Sequence, residues 1–212
     1  MSRTTPLVGI GAVIAASLLC TNRAEAQQAP TVVVRIIDAY IAPTKVNSAA
    51  WDGNNIIDPT VIQAVGAAMA LANPTIAIAA ALAPIARKAW EPPDVYGDVE
   101  LLFDGLAIPC GDASSNPDCT IGVNLPKIQD NYMPVWQNAT LPSIQLTDHI
   151  KLKVWLADSD IPGYDPIGTI FLSADNLRTA LANGGAVTHF RVGAQTNNQA
   201  LLLGISVIQQ SP

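Results

Sequence analysis

The chain has 212 residues, half of them hydrophobic and only 13% charged, with 17 acidic against 11 basic side chains and a formal net charge of −6. That length suits one domain with a full core, and an acidic surface of this kind argues against a nucleic-acid partner held through its phosphates. It also repels anionic lipid, unless bound cations reverse the field locally.

Residues 1–26 read as a signal peptide. Arg3 precedes an apolar run from Leu7 to Leu19, and Ala24-Glu25-Ala26 supplies an A-x-A cleavage site. The run is shorter than the roughly 20 residues that a hydrocarbon core requires. Leu18-Leu19 before Cys20 are too bulky for the usual lipoprotein signal, so acylation of Cys20 is disfavoured. The expectation is an exported protein, periplasmic or secreted, whose mature part starts near Gln27 and carries nine basic against sixteen acidic residues, net −7.

The first strand is expected over residues 31–41, TVVVRIIDAYI, rich in β-branched side chains. Residues 58–89 then break the β pattern. Asp58-Pro59 and Asn73-Pro74 each pair an N-cap residue with proline at the first helical position, which predicts a helical hairpin with arms over 60–72 and 75–89 and Pro84 kinking or ending the second. The arms are almost wholly apolar, and a helix apolar on all sides must be buried in something. At roughly 20 Å each is too short to span a bilayer, so the options are the protein core, a partner, or partial insertion into one leaflet. Trp51, Val61, Ile62, Val65, Met69, Leu71, Ile76, Ile78, Leu82 and Trp90 are the candidate membrane or partner contacts; Trp51 and Trp90 flank the hairpin.

Further strands are expected over 95–103, 119–128, 143–147, 149–156, 167–172, 188–192 and 201–208, punctuated by Gly, Pro, Asn and Asp. In HIKLKVWL, Ile150, Leu152, Val154 and Leu156 share one face and Lys151 and Lys153 the other, the mark of a half-buried strand. Ser173 can cap a short connecting helix over 174–182, stopped by Asn183-Gly184-Gly185. The sum is an all-β, antiparallel, eight-stranded sandwich with an apolar α-helical hairpin inserted. Cys110 and Cys119 bracket the loop CGDASSNPDC and read as a disulfide in an oxidising compartment; the competing reading, a metal site, lacks the further His or Cys that would complete a tetrahedron.

The sharpest chemical feature lies between two of these strands, where DSDIPGYDPIG places Asp158, Asp160 and Asp165 on one tight loop. Carboxylates packed this closely repel one another unless a cation neutralises them, and Ca²⁺ takes six to eight oxygens at about 2.3–2.6 Å. The competing reading is that they are solvated turn residues.

Three motifs in order add context: Pro93-Asp94-Val95-Tyr96, Met133-Pro134-Val135-Trp136-Gln137, and the loop from Asp158 to Ile167-Gly168. Together the sequence resembles the C2 domain family over most of residues 31–208. The first motif stands where that family has Ser-Asp-Pro-Tyr, the second where it has Asn-Pro-x-Trp-Asn, and the third follows its third top loop. The resemblance implies a C2-like sandwich and a Ca²⁺ site built from Asp94, Asp158, Asp160 and Asp165, with a main-chain carbonyl near Tyr164 and with Asp52 as the nearest equivalent of the family's first aspartate. The first loop departs from the pattern, because the hairpin separates Asp52 from Asp94; Asp58 is better explained as a helix cap.

Trp136 and Trp155 read as packing residues. His149 and His189 lack a nucleophile motif, and neither a G-x-S-x-G nor a phosphate loop is present, so no catalytic set is legible. The expected function is an exported Ca²⁺-binding module that associates with phospholipid when calcium is bound. The alternative is an interaction protein whose hairpin docks on a partner protein or a second copy.

Overall fold

A computed structural model of the chain describes residues 29–45, 49–51, 57–86, 92–108, 120–160, 162–192 and 198–210. The proposed signal peptide, Asp52, Trp90, Cys110 and Cys119 lie outside the described residues. In chain order the elements are β1 (Thr31–Ile41), α1 (Pro59–Met69), α2 (Pro74–Ala86), β2 (Val95–Phe103), β3 (Leu106–Ala107), β4 (Gly122–Ile128), β5 (Ile144–Gln145), β6 (Ile150–Asp158), β7 (Asp165–Ser173), α3 (Ala174–Ala182), β8 (Thr188–Arg191) and β9 (Ala200–Gln209).

All strand pairings are antiparallel. One sheet runs β5-β1-β9-β8, the other β3-β2-β6-β7 with β4 also paired to β2, and one core of apolar side chains from both sheets joins them. The expected alternation holds in β6, where Ile150, Leu152, Val154 and Leu156 are buried. Nine strands stand among the described residues where eight were expected. The extra one, β3, is returned by a two-residue turn in which Asp104 and Gly105 have φ of 50° and 84°. Those angles suit the primed turns of hairpins, and Asp-Gly is a favoured sequence for them. Gly97 in β2 is required for a different reason: a Cβ there would lie 2.0 Å from the Trp155 carbonyl oxygen.

Two expectations about helices are corrected. α3, capped by Ser173 through a reciprocal bond with Asn176, is more than a connection. Its Ala174, Leu177 and Ala180 enter the core, and it packs on β9 and β7 of opposite sheets. The hairpin is present, with the Asp58 side chain accepting from Thr60 N–H at 2.9 Å as a cap, and α2 runs on for two residues past Pro84. It is not one uniform contact surface, however. Val65 of α1 and Ile78, Leu82 and Ile85 of α2 are buried in the core, Val61 and Met69 are half-buried against it, and Trp51 is 2% exposed with its indole N–H on the Ala42 carbonyl at 2.8 Å. Trp51, Val65, Ile78 and Leu82 are therefore buried within the chain and not free to meet a membrane or partner as they stand, and α1 and α2 pack chiefly on one another. What remains outside is Ile62, Leu71 and Ile76, which are 38%, 51% and 83% exposed.

One end of the sandwich collects the loops that matter. β1 ends, β2 begins, β6 ends and β7 begins there, as the pairings Val95 with Asp158, Asp158 with Asp165 and Ile41 with Ala200 require. Gln199 ties the sheets together at that end, donating from its N–H to the Ile167 carbonyl at 2.8 Å and accepting from Ala42 N–H at 2.7 Å. The hairpin, inserted between β1 and β2, rises from the same end, and its connecting turn is held back towards β8 by Arg191, whose guanidinium donates to the Leu71 carbonyl.

Candidate metal centre

Asp158 is the last residue of β6, paired on either side with Val95 and Asp165. The register that buries Leu156 carries the chain into the interior, and Asp158 is 0% exposed. Its Oδ1 accepts from the Asp94 N–H at 2.7 Å, and Ser159 N–H closes the other side of that joint on the Asp94 carbonyl at 3.0 Å. Its Oδ2 is buried and has no hydrogen-bond partner among the described residues. Burial raises the Asp158 carboxyl from 3.8 to about 6; the Asp94 N–H opposes this, and the Asp160 charge adds to it. A buried, unpaired carboxylate oxygen costs free energy unless something completes its coordination.

Asp160 and Asp165 complete a triad with Asp158, each offering an oxygen such that all three atoms lie within 4.8 Å of one another. An all-oxygen set of carboxylates is the hard donor type that Ca²⁺ and Mg²⁺ take, and three aspartates leave room for the further oxygens that Ca²⁺ prefers. The residues present therefore fit a divalent hard cation.

The loops carry their own cations as well, which sequence reading did not find. Lys45, just after β1, places its ammonium on Asp165 Oδ2. Burial pulls the Lys45 ammonium down, but the hydrogen bond to Asp165 and the charges of Asp165, Asp160 and Asp158 outweigh this and its pKa is raised. The same bond holds the Asp165 carboxyl below its ordinary value against burial. Lys127 of β4 reaches Asp94 Oδ2 at 3.0 Å, and Asp130 N–H donates to Asp94 Oδ1 at 3.0 Å. Asp94 thus reaches the centre through its main chain, and its carboxylate stands outside the triad because Lys127 and Asp130 hold it. That corrects the expectation of four converging carboxylates. No local sequence signal marks either lysine, since Lys45 is 120 residues from Asp165.

Aromatic rings frame the loop. Tyr164 is exposed and meets Trp155 edge-on at 5.6 Å, and Trp155 meets Tyr96 at 5.6 Å on its other side. Trp136 is buried, as expected, with its indole N–H on the Pro126 carbonyl at 2.9 Å. The two histidines belong to separate pairs away from the triad, an exposed one of His149 with Asp104 at 2.6 Å and a partly buried one of His189 with Asp38 at 2.9 Å. Among the described residues no helix is long and apolar enough to cross a membrane.

No protein-family model matches the chain, and no curated protein matches it. Solved structures do. A human GIVD cytosolic phospholipase A2 is 12% identical, with 88% of this chain aligned to 17% of that one at a TM-score of 0.43. A C2 domain of a plant Extended Synaptotagmin 1 is 10% identical, with 88% of this chain aligned to 99% of the other at a TM-score of 0.41. Calcium-bound C2 domains of Extended-Synaptotagmin 2 are 11% identical, with 86% of this chain aligned to 46% of that one at 0.43. The chain spans less than a fifth of the length of the phospholipase chains, 17% and 18% in two of them. C2 domains are thus among the folds this chain is similar to.

Proposed function

We propose that this chain is an exported, C2-like calcium-binding module that associates with phospholipid surfaces when Ca²⁺ is bound. The observation that carries the reading is the buried Asp158 Oδ2, without a hydrogen-bond partner among the described residues, in a triad of carboxylates whose oxygens lie within 4.8 Å. Asp158, Asp160 and Asp165 are the ligands. The Asp94 carboxylate is held beside them by Lys127 and by the Asp130 N–H. Bound there, Ca²⁺ would supply two positive charges to an acidic loop end and reverse its local field. The exposed Ile62, Leu71 and Ile76 of the hairpin, together with Tyr164, are the apolar groups that the same chain offers to a lipid interface.

Thermal unfolding with EDTA and then millimolar Ca²⁺ tests the first step, and liposome co-sedimentation the second. Wild type is expected to melt higher with Ca²⁺ and to pellet with anionic vesicles only then, and Asp158→Asn with Asp160→Asn is expected to lose both responses. Ile62→Asp with Ile76→Asp should keep the melting shift and lose the vesicles. A Ca²⁺-independent melting point in wild type rejects the ion site. Vesicle binding that survives the isoleucine changes rejects the hairpin as the lipid contact, whereas wild type that takes up Ca²⁺ and never pellets with vesicles favours the second reading, in which the 83% exposed Ile76 marks a protein interface.

A further inference from the structure

The acidic end already holds a cation that belongs to the chain. Lys45 is fixed on both sides: its N–H donates to the Ala49 carbonyl at 2.9 Å, and its ammonium lies 5.8 Å from the ring centroid of Trp51, which is itself buried and bonded to Ala42. From this short loop the ammonium crosses to Asp165 at the start of β7. We propose that Lys45 is a tethered competitor for the divalent site, occupying the acidic loops when no ion is bound and setting the concentration at which an ion can enter. The inference rests on the calcium reading above and adds to it how the site is regulated.

The chemistry of the two occupants differs in a way that makes them exclusive. An ammonium is a single charge with three donors. Lys45 neutralises one carboxylate of three, and Asp158 Oδ2 keeps no hydrogen-bond partner among the described residues. A divalent ion brings two charges and six to eight coordination positions, enough to take in all three carboxylates. An ion coordinated by Asp158, Asp160 and Asp165 has to share the Asp165 carboxylate whose Oδ2 Lys45 holds, and like charges brought to one carboxylate repel. Entry of the ion therefore expels the ammonium. The apparent affinity then falls by the fraction of molecules in which Lys45 has already left. In the absence of the ion the β6–β7 pairing of Asp158 with Asp165 keeps the site assembled, and the lysine offsets part of the repulsion between its carboxylates.

Calorimetric Ca²⁺ titration of wild type, Lys45→Met and Lys45→Arg tests this. Lys45→Met should bind at least about tenfold more tightly, a change of about 1.4 kcal/mol, whereas Lys45→Arg, which keeps the charge, should stay within about threefold of wild type. A measurement on wild type alone guards against a variant that folds poorly: saturating Ca²⁺ should speed acetylation of Lys45 by an amine reagent severalfold, read by peptide mass spectrometry, and leave the exposed Lys151 unchanged. Equal affinities for wild type and Lys45→Met, or a Lys45 acetylation rate indifferent to bound Ca²⁺, overturn the competitor role and leave the calcium site standing. Absence of binding by wild type and Lys45→Met alike up to about 10 mM removes the calcium reading itself, and this inference with it.

Discussion

Replacing Asp158 by Asn should make the ion-free protein more stable at neutral pH. The asparagine side chain would keep an oxygen to accept from the Asp94 N–H, and would place an amide where the unpaired Oδ2 now stands, close to the carboxylates of Asp160 and Asp165. The wild-type carboxyl rises from 3.8 to about 6 on folding, chiefly through burial. A pKa raised in the folded state means that the native protein holds this proton more tightly than the unfolded chain does. Its contribution is thus full below 3.8 and is lost as pH rises through about 6. At pH 7 the ionised group opposes folding by roughly 3 kcal/mol, since each pKa step is worth about 1.36 kcal/mol. Allowing for a weaker bond to Asp94, Asp158→Asn should gain about 1–3 kcal/mol at pH 7, and the gain should nearly vanish by about pH 3.5. Urea unfolding in EDTA followed by tryptophan fluorescence reads this as a midpoint shift of about 1 M for 2 kcal/mol. A variant that is less stable than wild type at pH 7, or equally stabilised at both pH values, would show that the carboxylate is a structural group and that its burial stores nothing for an ion.

Asp165→Asn should act in the opposite direction. It removes the partner of Lys45, and because the Asp165 pKa is lowered in the fold, its contribution is present above 3.8 and is lost as pH falls through the folded value. Half-exposed pairs of this kind contribute up to about 1 kcal/mol, so a small loss of stability at pH 7 is expected in EDTA by urea titration. Gly97→Ala places its Cβ 2.0 Å from the Trp155 carbonyl oxygen, on backbone that cannot rotate away. It should cost about 1–3 kcal/mol or more in the same assay, and a neutral result would mean that β2 and β6 can separate without penalty.

Much of the fold was legible because the signals were local. The alternation of β6, the Asp58-Pro59 and Asn73-Pro74 helix starts and the Ser173 cap each need only a few neighbouring residues, and each stands in the structure at or within a residue or two of its expected place. The aspartate triad was legible for the same reason, since its three members lie within eight residues of sequence. β3 was overlooked although Asp104-Gly105 announces it; a two-residue strand carries no periodicity of its own. The faces of the hairpin could not be assigned, because α2 is apolar on nearly every side and only its packing in the folded chain, chiefly against α1, decides that Ile78, Leu82 and Ile85 point inwards while Ile76 points out. The lysines were hidden for a deeper reason. Lys45 meets Asp165, and Lys127 meets Asp94, only after the sheets have brought distant loops to one end, and their charges then decide which carboxylates stay available.

A calcium-soaked crystal structure with anomalous data tests the central claim most directly. The account predicts a peak about 2.3–2.6 Å from oxygens of Asp158, Asp160 and Asp165, with Asp158 Oδ2 now coordinated and the Lys45 ammonium withdrawn from Asp165. A map at millimolar Ca²⁺ without such a peak, and with the Lys45–Asp165 pair intact, would contradict it.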